Sequence, residues 1–429
     1  MASKKVLLID PPMQRFMNFS KGGIPIGLLS LAGQLQQDGY EVKTLDADYF
    51  PEGEPYPFME KIERYQSYLS SLEDRQHPLW REVTDLIDDF SPDVVGISVI
   101  STKAKSAKIV AELAKAQGVP RVIVGGPHAT LFPEDLGSDP HIDSVVQGEG
   151  EFSFNEAMTK KLVSFGRIND LNALPSPARE TLVGLDRYKD TSDLGMLMSA
   201  RGCPNDCNFC CSNALWGTKV RFRSIDNVME EIDDIHDSFG VDDFYVVDDT
   251  FTLNKRRVKA FCAEMEQRPY TWSCLTRMDR VDDEIVEALI DSGCRLVKVG
   301  LESGNQNVLN GMNKQITLEK VRKAANIFND HGLKWIAYVM AGVPDETVKQ
   351  MDDTMDFVLE TRPTYLSPSI FTPYPKTGYV TLNGYHLSPD FAQEEVNHHS
   401  LVRIAGNIPE ADLRRFMKFA DDYNAGKFS

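Results

Sequence analysis

The chain has few cysteines for its length, no long apolar run and a shortage of positive charge, and each lack removes a class of protein. Seven cysteines among 429 residues, three of them crowded between positions 203 and 210, do not make the evenly spread framework of a secreted disulfide protein. A reducing compartment is expected. No apolar stretch approaches the roughly 20 residues needed to cross a bilayer. The strand that follows Met1-Ala2-Ser3-Lys4-Lys5 is too short for the apolar part of a signal peptide. These features predict a cytoplasmic protein that engages no membrane. Lys and Arg total 46 against 64 Asp and Glu, a net charge of −18, and such a surface repels phosphate backbones. Nucleic-acid partners are disfavoured. The length allows two or three domains with well-buried cores.

What is present begins with the stretch Arg201-Gly202-Cys203-Pro204-Asn205-Asp206-Cys207-Asn208-Phe209-Cys210. Cys203, Cys207 and Cys210 sit in a loop of Gly, Pro, Asn and Asp, spaced so that three thiolates converge on one face of a metal cluster. An iron–sulfur cluster normally takes four thiolates, so three leave one iron open to a ligand that is not protein. The alternative is zinc, which in structural sites takes four N or S ligands from two hooks, whereas Cys207 and Cys210 form a single C-x-x-C pair. Cys211 diverges from Cys210 along an extended loop and reads as a bystander. Cys262, Cys274 and Cys294, scattered over helix, strand and turn, read as small buried apolar residues.

Residues 1–155 alternate apolar runs with helical spacing. Val6-Leu7-Leu8-Ile9 ends at Asp10-Pro11-Pro12, the segment from Pro25 to Asp38 is helical and stops at Gly39, and Tyr40-Glu41-Val42 opens a second strand reaching Asp46. The runs Val94 to Val99, Val122 to Gly126 and Ser144 to Val146 continue the pattern, with a helix from about Lys103 to Gln117. This rhythm predicts a doubly wound, Rossmann-like parallel sheet, whose ligands lie beyond the carboxyl ends of the strands. The residues of interest are therefore Asp10, Met13 and Gln14 after the first strand, Ser98 after the third, Gly125, Gly126 and His128 after the fourth, and Gly148 and Glu149 after the fifth. Adjacent glycines let a bulky ligand approach the backbone; ordinary tight turns are the alternative. An insertion from about Glu54 to Asp89 carries apolar spacing for two helices that cover the sheet or act as a lid. Residues 156–190 read as a crossover linker.

Residues 191–385 alternate again: Met196-Leu197-Met198, a helix from Ile225 to Phe239, Phe244 to Val247, a helix from Arg256 to Gln267, Thr271 to Leu275, Leu296 to Val299, Trp335 to Met340 and Ser369 to Phe371. Six such strands predict an open (β/α)6, TIM-like barrel with its chemistry at the carboxyl ends of the strands. The cysteine loop follows the first strand. Asp248 and Asp249 follow the second, where carboxylates accept hydrogen bonds from an ammonium group or cap a helix. Arg277 follows the third, a planar guanidinium suited to a carboxylate. Glu302 and Ser303 follow the fourth, and Gly342 the fifth. Lys314 reads as a surface residue. Residues 386–429 form a polar tail with one docked amphipathic helix through Leu413, Phe416, Met417 and Ala420, with no large extra domain expected.

The spacing Cys-x-x-x-Cys-x-aromatic-Cys, with Phe209 as the aromatic, resembles the radical S-adenosylmethionine (SAM) superfamily. The segments Gly300-Leu301-Glu302-Ser303-Gly304 and Gly342-Val343-Pro344-Asp345-Glu346-Thr347 resemble that family's Glu-Ser-Gly and Gly-x-Pro-x-Glu-Thr segments. The resemblance implies a [4Fe–4S] cluster on Cys203, Cys207 and Cys210 whose open iron chelates the amino and carboxyl groups of SAM. It also places Phe209 and Gly342 near the adenine, Asp248 and Asp249 at the methionine amino group, Arg277 at the carboxylate, and Glu302 and Ser303 at the ribose or methionine part. Ser98 with Gly125-Gly126 resembles the cobalamin-binding domain, but Asp10-Pro11-Pro12-Met13-Gln14-Arg15 stands where the Asp-x-His-x-x-Gly motif belongs, so cobalamin bound without histidine on cobalt is implied. His128 is placed near the cofactor tail. A domain that binds nothing is the alternative.

Together the resemblances imply a cobalamin-dependent radical SAM C-methyltransferase that moves a methyl group from methylcobalamin to an unactivated carbon. The substrate is a small molecule, or a peptide side chain such as a glutamine of methyl-coenzyme M reductase, and the electron donor resembles flavodoxin or ferredoxin. A radical SAM cyclase or rearrangement enzyme is the alternative within the enzymes. A non-catalytic SAM- or cobalamin-binding protein is the alternative outside them.

Overall fold

The computed structural model describes residues 4–53, 57–164, 166–382 and 408–428. The chain divides near Leu194 into two compact units, each built around one parallel six-stranded sheet.

In the first unit the strands are β1 (Lys5–Asp10), β2 (Glu41–Asp46), β3 (Val94–Ser98), β4 (Arg121–Gly125), β5 (Ser144–Gln147) and β6 (Leu162–Ser164). Their order is β2-β1-β3-β4-β5-β6, with Leu8 paired to Thr44 on one side and Gly96 on the other. Val6, Leu7, Leu8 and Ile9 are all fully buried, because helices cover both faces of a parallel sheet. The side chains alternate between two cores. Leu7 and Ile9 join Val95, Ile97 and Trp80 on one face, and Val6 and Leu8 join Leu28 and Leu35 on the other. The order in which strands are added reverses between β1 and β3, the switch point beyond whose carboxyl ends such sheets place a ligand crevice.

One sequence expectation holds here and one changes. The insertion does form two helices, Phe58–Glu73 and Pro78–Phe90, with residues 54–56 outside the described part, and Trp80 is a core residue whose ring lies tilted against that of Phe16, centroids 5.0 Å apart. Residues 160–190 are more than a linker. They contain β6, and Thr44 bridges to Leu182 while Ala178 N donates to Leu29 O at 3.0 Å. A three-residue strand is too short to show a period.

In the second unit the strands are β7 (Met196–Leu197), the antiparallel pair β8 (Ala200–Arg201) and β9 (Arg221–Phe222), then β10 (Asp243–Val246), β11 (Thr271–Thr276), β12 (Cys294–Glu302), β13 (Lys334–Ala341) and β14 (Tyr365–Ile370). The sheet runs β14-β13-β12-β11-β10-β7, every pair parallel and in chain order, which is the open (β/α)6 barrel that the alternation predicts. Along β11, Trp272 and Cys274 are buried while Thr271, Ser273 and Leu275 are half-buried. The buried set faces the helices, where Trp272 packs edge-on against Phe251 and Phe261. The half-buried set lies on the other face of the sheet, the inner side of such a barrel. The helix Glu410–Asn424 buries Leu413, Phe416, Met417 and Ala420 and bonds β14 through Asn424 Oδ1 and Nδ2 to Leu366 N and O, each at 2.8 Å. The first part of the tail, 383–407, lies outside the described residues. No helix among those described is long and apolar enough to cross a membrane.

Candidate functional site

The cysteine loop of the second unit leaves β8 and is tied down by asparagines. Asn208 N and Nδ2 donate to Met312 O and Gly311 O, each at 2.8 Å, and Asn313 Nδ2 donates to Asp206 O at 2.6 Å. The loop after β12 is thereby pulled under the cysteines. Cys207 is buried, Cys203 partly exposed and Cys210 exposed. Each sulfur has a donor beside it: Asn205 Nδ2 at 3.3 Å from Cys203, Arg277 Nη1 at 3.8 Å from Cys207 and Ser212 N at 3.4 Å from Cys210. Burial pushes the Cys207 thiol up, and the Lys314 and Arg277 charges pull it back toward the thiolate. Among the described residues no three His, Cys, Asp or Glu side chains group tightly enough for a single metal ion. Three thiols from one loop, each with a hydrogen-bond donor beside it, are the kind of ligand set that an iron–sulfur cluster takes.

Lys314 corrects the sequence reading. It is 5% exposed and its Nζ lies 2.7 Å from Glu302 Oε1, because the asparagine ties draw its backbone inward. Glu302 itself is 8% exposed and sits at φ 67°. Arg277 is held by Asp279 Oδ1 at 2.9 Å and Lys314 O at 2.8 Å, which aims the rest of its guanidinium at Cys207. Two cations thus stand beside one thiol.

The aspartate pair divides its roles. Asp248 is buried and accepts from Ser199 N, Ser199 Oγ and Ala200 N at 2.7, 2.6 and 2.9 Å. It holds the chain between β7 and β8 instead of facing a ligand. Burial pushes its carboxyl up to about 6, against those hydrogen bonds. Asp249 is exposed and accepts from Ser212 Oγ. Ser303 is also internal, bonded to Thr354 Oγ1 at 3.1 Å. Phe209 packs with Met340 against Val308, Met312, Val343, Phe371 and Tyr379, an apolar wall beside the cysteines. Gly342, at φ 80°, donates its N–H to Glu346 Oε2 at 2.7 Å. Glu346 Oε1 is buried with no partner among the described residues, and burial raises that carboxyl to about 7.

In the first unit the carboxyl edge is organised by buried charge. Asp10 lies 2.7 Å from Lys103 and 3.2 Å from Lys21, Lys21 lies 2.7 Å from Asp46, and Lys103 lies 3.0 Å from Asp48. Burial works to raise the Asp10 carboxyl, but the two lysines outweigh it and hold it below the usual range. Asp48 Oδ1 accepts from Met13 N, Gln14 N and Arg15 N at 2.7, 2.6 and 3.1 Å, which fixes the loop after β1. Ser98 and Gly125 are register partners. Gly126, at φ 94°, has Ser98 Oγ at 3.2 Å and Val99 N at 3.1 Å from where a Cβ would stand, so these residues form a cradle that only glycine leaves open. Ile100 and Phe152, after β3 and β5, are 43% and 41% exposed, large apolar surface of the kind a ligand covers. Gly148 N donates to Thr130 Oγ1 at 3.0 Å at the same edge.

Three residues expected at this edge point inward instead. Met13 is 5% exposed and belongs to the core. His128 is fully buried, its Nδ1 3.0 Å from Ser101 Oγ and its Nε2 3.2 Å from Asp135 Oδ2, so it braces the glycine turn from behind. Glu149 is 3% exposed and accepts from Ile168 N. Sequence reasoning had no sign of these partners, which come from distant segments. It also passed over Lys298, whose signal was a charge inside the apolar run Leu296-Val297-Lys298-Val299.

The sequence matches the Radical SAM superfamily over residues 197–358 and the B12 binding domain over residues 18–157. It is 29% identical over 87% of its length to an uncharacterized methyltransferase of Pyrococcus horikoshii, spanning 82% of that protein. It is 27% identical over 68% of its length to the anaerobic magnesium-protoporphyrin IX monomethyl ester cyclase of Rubrivivax gelatinosus, spanning 59% of the cyclase. Its fold is similar to that of the radical S-adenosylmethionine methyltransferase TsrM from Kitasatospora setae, a structure with cobalamin and a [4Fe–4S] cluster bound, with a TM-score of 0.66, 18% identity, and coverage of 88% of this chain and 77% of that one.

Proposed function

The chain belongs to the cobalamin-dependent radical SAM enzymes, and from that premise we propose that it is a C-methyltransferase acting on an unactivated carbon. The observation that carries the reading is the cysteine loop: three thiols, each beside a hydrogen-bond donor, with Arg277 and Lys314 next to Cys207. Methyl transfer is favoured over ring closure because the chain is 29% identical to the Pyrococcus methyltransferase over 87% of its length, against 27% over 68% for the Rubrivivax cyclase and 23% over 94% for that of Synechocystis.

Cys203, Cys207 and Cys210 are the ligands for a [4Fe–4S] cluster, and Ser98, Gly125 and Gly126 form the cradle for a cobalamin tail. When bound, the cluster supplies one-electron reduction of SAM and cobalamin supplies the methyl group. Arg277 and Lys314 favour the thiolate of Cys207 electrostatically. Asp249, the exposed carboxylate at the end of β10, accepts from an ammonium group. Phe209, Met340, Val343 and Phe371 keep water from the cysteine end. Electrons come from a flavodoxin- or ferredoxin-like donor. No residue singles out a glutamine of methyl-coenzyme M reductase as the acceptor.

The test is anaerobic reconstitution with iron, sulfide and hydroxocobalamin, then incubation with SAM and a strong reductant. Deoxyadenosine is expected from the wild type and from Cys211→Ala, and none from Cys203→Ala, Cys207→Ala or Cys210→Ala. SAM cleavage that survives loss of any one of the three sinks the cluster assignment. With acceptor present, deoxyadenosine without S-adenosylhomocysteine moves the reading to the cyclases.

A further inference from the structure

We propose that Lys298 anchors an anionic group of the substrate on the concave face of the second unit. This rests on the methyltransferase reading and names the class of molecule it acts on, one with a carboxylate or phosphoryl group at one end and the acceptor carbon at the other.

Lys298 lies in the middle of β12 and is half-buried, between Val297 and Val299, which are fully buried on the opposite face. Its Nζ stands 3.6 Å from the centre of the Tyr245 ring. Among the described residues it has no ion pair and no hydrogen-bonded partner. Burial lowers its pKa, so the fold meets a desolvation cost with only a cation–π contact to offset it. A methionine would fill the same place on an apolar strand without that cost.

The surroundings select for negative charge. Tyr245 and Ser273 are register partners on β10 and β11, and Tyr338 and Ser367 on β13 and β14. All four lie on the same half-buried face as Lys298, and none of their hydroxyls is hydrogen-bonded within the described residues. Glu302, past the register shift that follows Gly300, is already paired with Lys314. The concave face therefore offers one ammonium and several hydroxyl donors, on a chain whose net charge is −18. Lys298 precedes Glu302 by four residues, about 13 Å along the strand. An anion held at Lys298 points the other end of its molecule toward the cysteines.

The test uses the full chain and two probes, pyrophosphate and succinate, at constant ionic strength. Brief acetylation with limiting acetic anhydride, read by mass spectrometry, should show Lys298 protected by a factor that grows as one plus the ratio of probe concentration to Kd. Lys160, an exposed lysine paired with Glu156, should not change. In thermal unfolding the same probe should raise the Tm of the wild type and of Lys298→Arg but not of Lys298→Met. Response to one probe alone identifies the group as phosphoryl or carboxyl. Equal Tm shifts in Lys298→Met, or unprotected Lys298 at every concentration, overturn the proposal. Substrate-free cleavage of SAM by the reconstituted wild type, measured apart from either probe, keeps the radical SAM reading standing whichever way the anion result falls.

Discussion

Asp248 shows how a buried carboxylate can serve a site without touching its ligand. Three donors from Ser199 and Ala200 converge on it, so it orders the entry to the cysteine loop, yet its carboxyl is raised from 3.8 to about 6 because burial outweighs those bonds. The sign follows from proton counting. Below pH 4 the group is protonated in both states. Between about pH 4 and 6 the unfolded chain releases its proton while the native one keeps it, so stability falls as pH rises. The loss amounts to about 3 kcal/mol by pH 7. Asp248→Asn preserves two backbone acceptor contacts and lets Ser199 Oγ turn to accept, so it should fold and lack this fall. Urea titrations at pH 4.5 and 7 measure it: the wild type should lose more stability than the variant across that interval, and parallel losses would remove Asp248 as the cause. Asp248→Ala leaves the Ser199 and Ala200 N–H groups unpaired and should cost about 1–3 kcal/mol at either pH.

At the scale of elements, strand β12 carries Lys298 and Gly300 on its half-buried face and ends, past a register shift, at the buried Glu302. A Cβ on Gly300 would overlap Glu302 Oε1 and stand 2.7 Å from Lys314 Nζ. Gly300→Ala should therefore push that ion pair apart, cost about 1–3 kcal/mol from overpacking, and weaken SAM binding while leaving the charge-transfer absorption of the reconstituted cluster intact. Loss of that absorption would mean the pair supports the cysteines themselves. The strand and its neighbours were legible in the sequence because apolar runs and capped helices are local signals. Ile225–Phe239 begins at Ser224, whose side chain accepts from Asn227 N, and ends at Gly240 in the left-handed region, as its sequence predicts. The burial of Lys314 was not legible. It depends on Asn208 and Asn313 joining two loops more than 100 positions apart, and no local period reports a tertiary hydrogen bond. His128 and Glu149 were misread for the same reason, since Ser101, Asp135 and Ile168 decide where they point.

The whole molecule holds its two candidate cofactor sites on separate sheets with separate cores. The cores of the first sheet close around Leu7, Ile9 and Trp80 on one face and Val6 and Leu8 on the other, and the second sheet buries Trp272 and Trp335 completely, without help from the cysteine loop. This differs from a zinc finger, in which the metal supplies the folding energy. The iron-free chain should consequently keep its far-ultraviolet circular dichroism and unfold cooperatively. The triple variant Cys203→Ala, Cys207→Ala, Cys210→Ala should still take up hydroxocobalamin, seen as corrin absorption that survives gel filtration. Gly126→Ala should do the reverse, since its backbone at φ 94° strains any side chain and its Cβ would press on Ser98 and Val99. It should lose corrin uptake, carry a strain cost of about 1–3 kcal/mol and keep its cluster. Cobalamin binding lost in the cysteine variant, or retained at full stoichiometry in Gly126→Ala, would show that the two sites are not built independently, and the cradle assigned to Ser98, Gly125 and Gly126 would have to be sought elsewhere on the sheet.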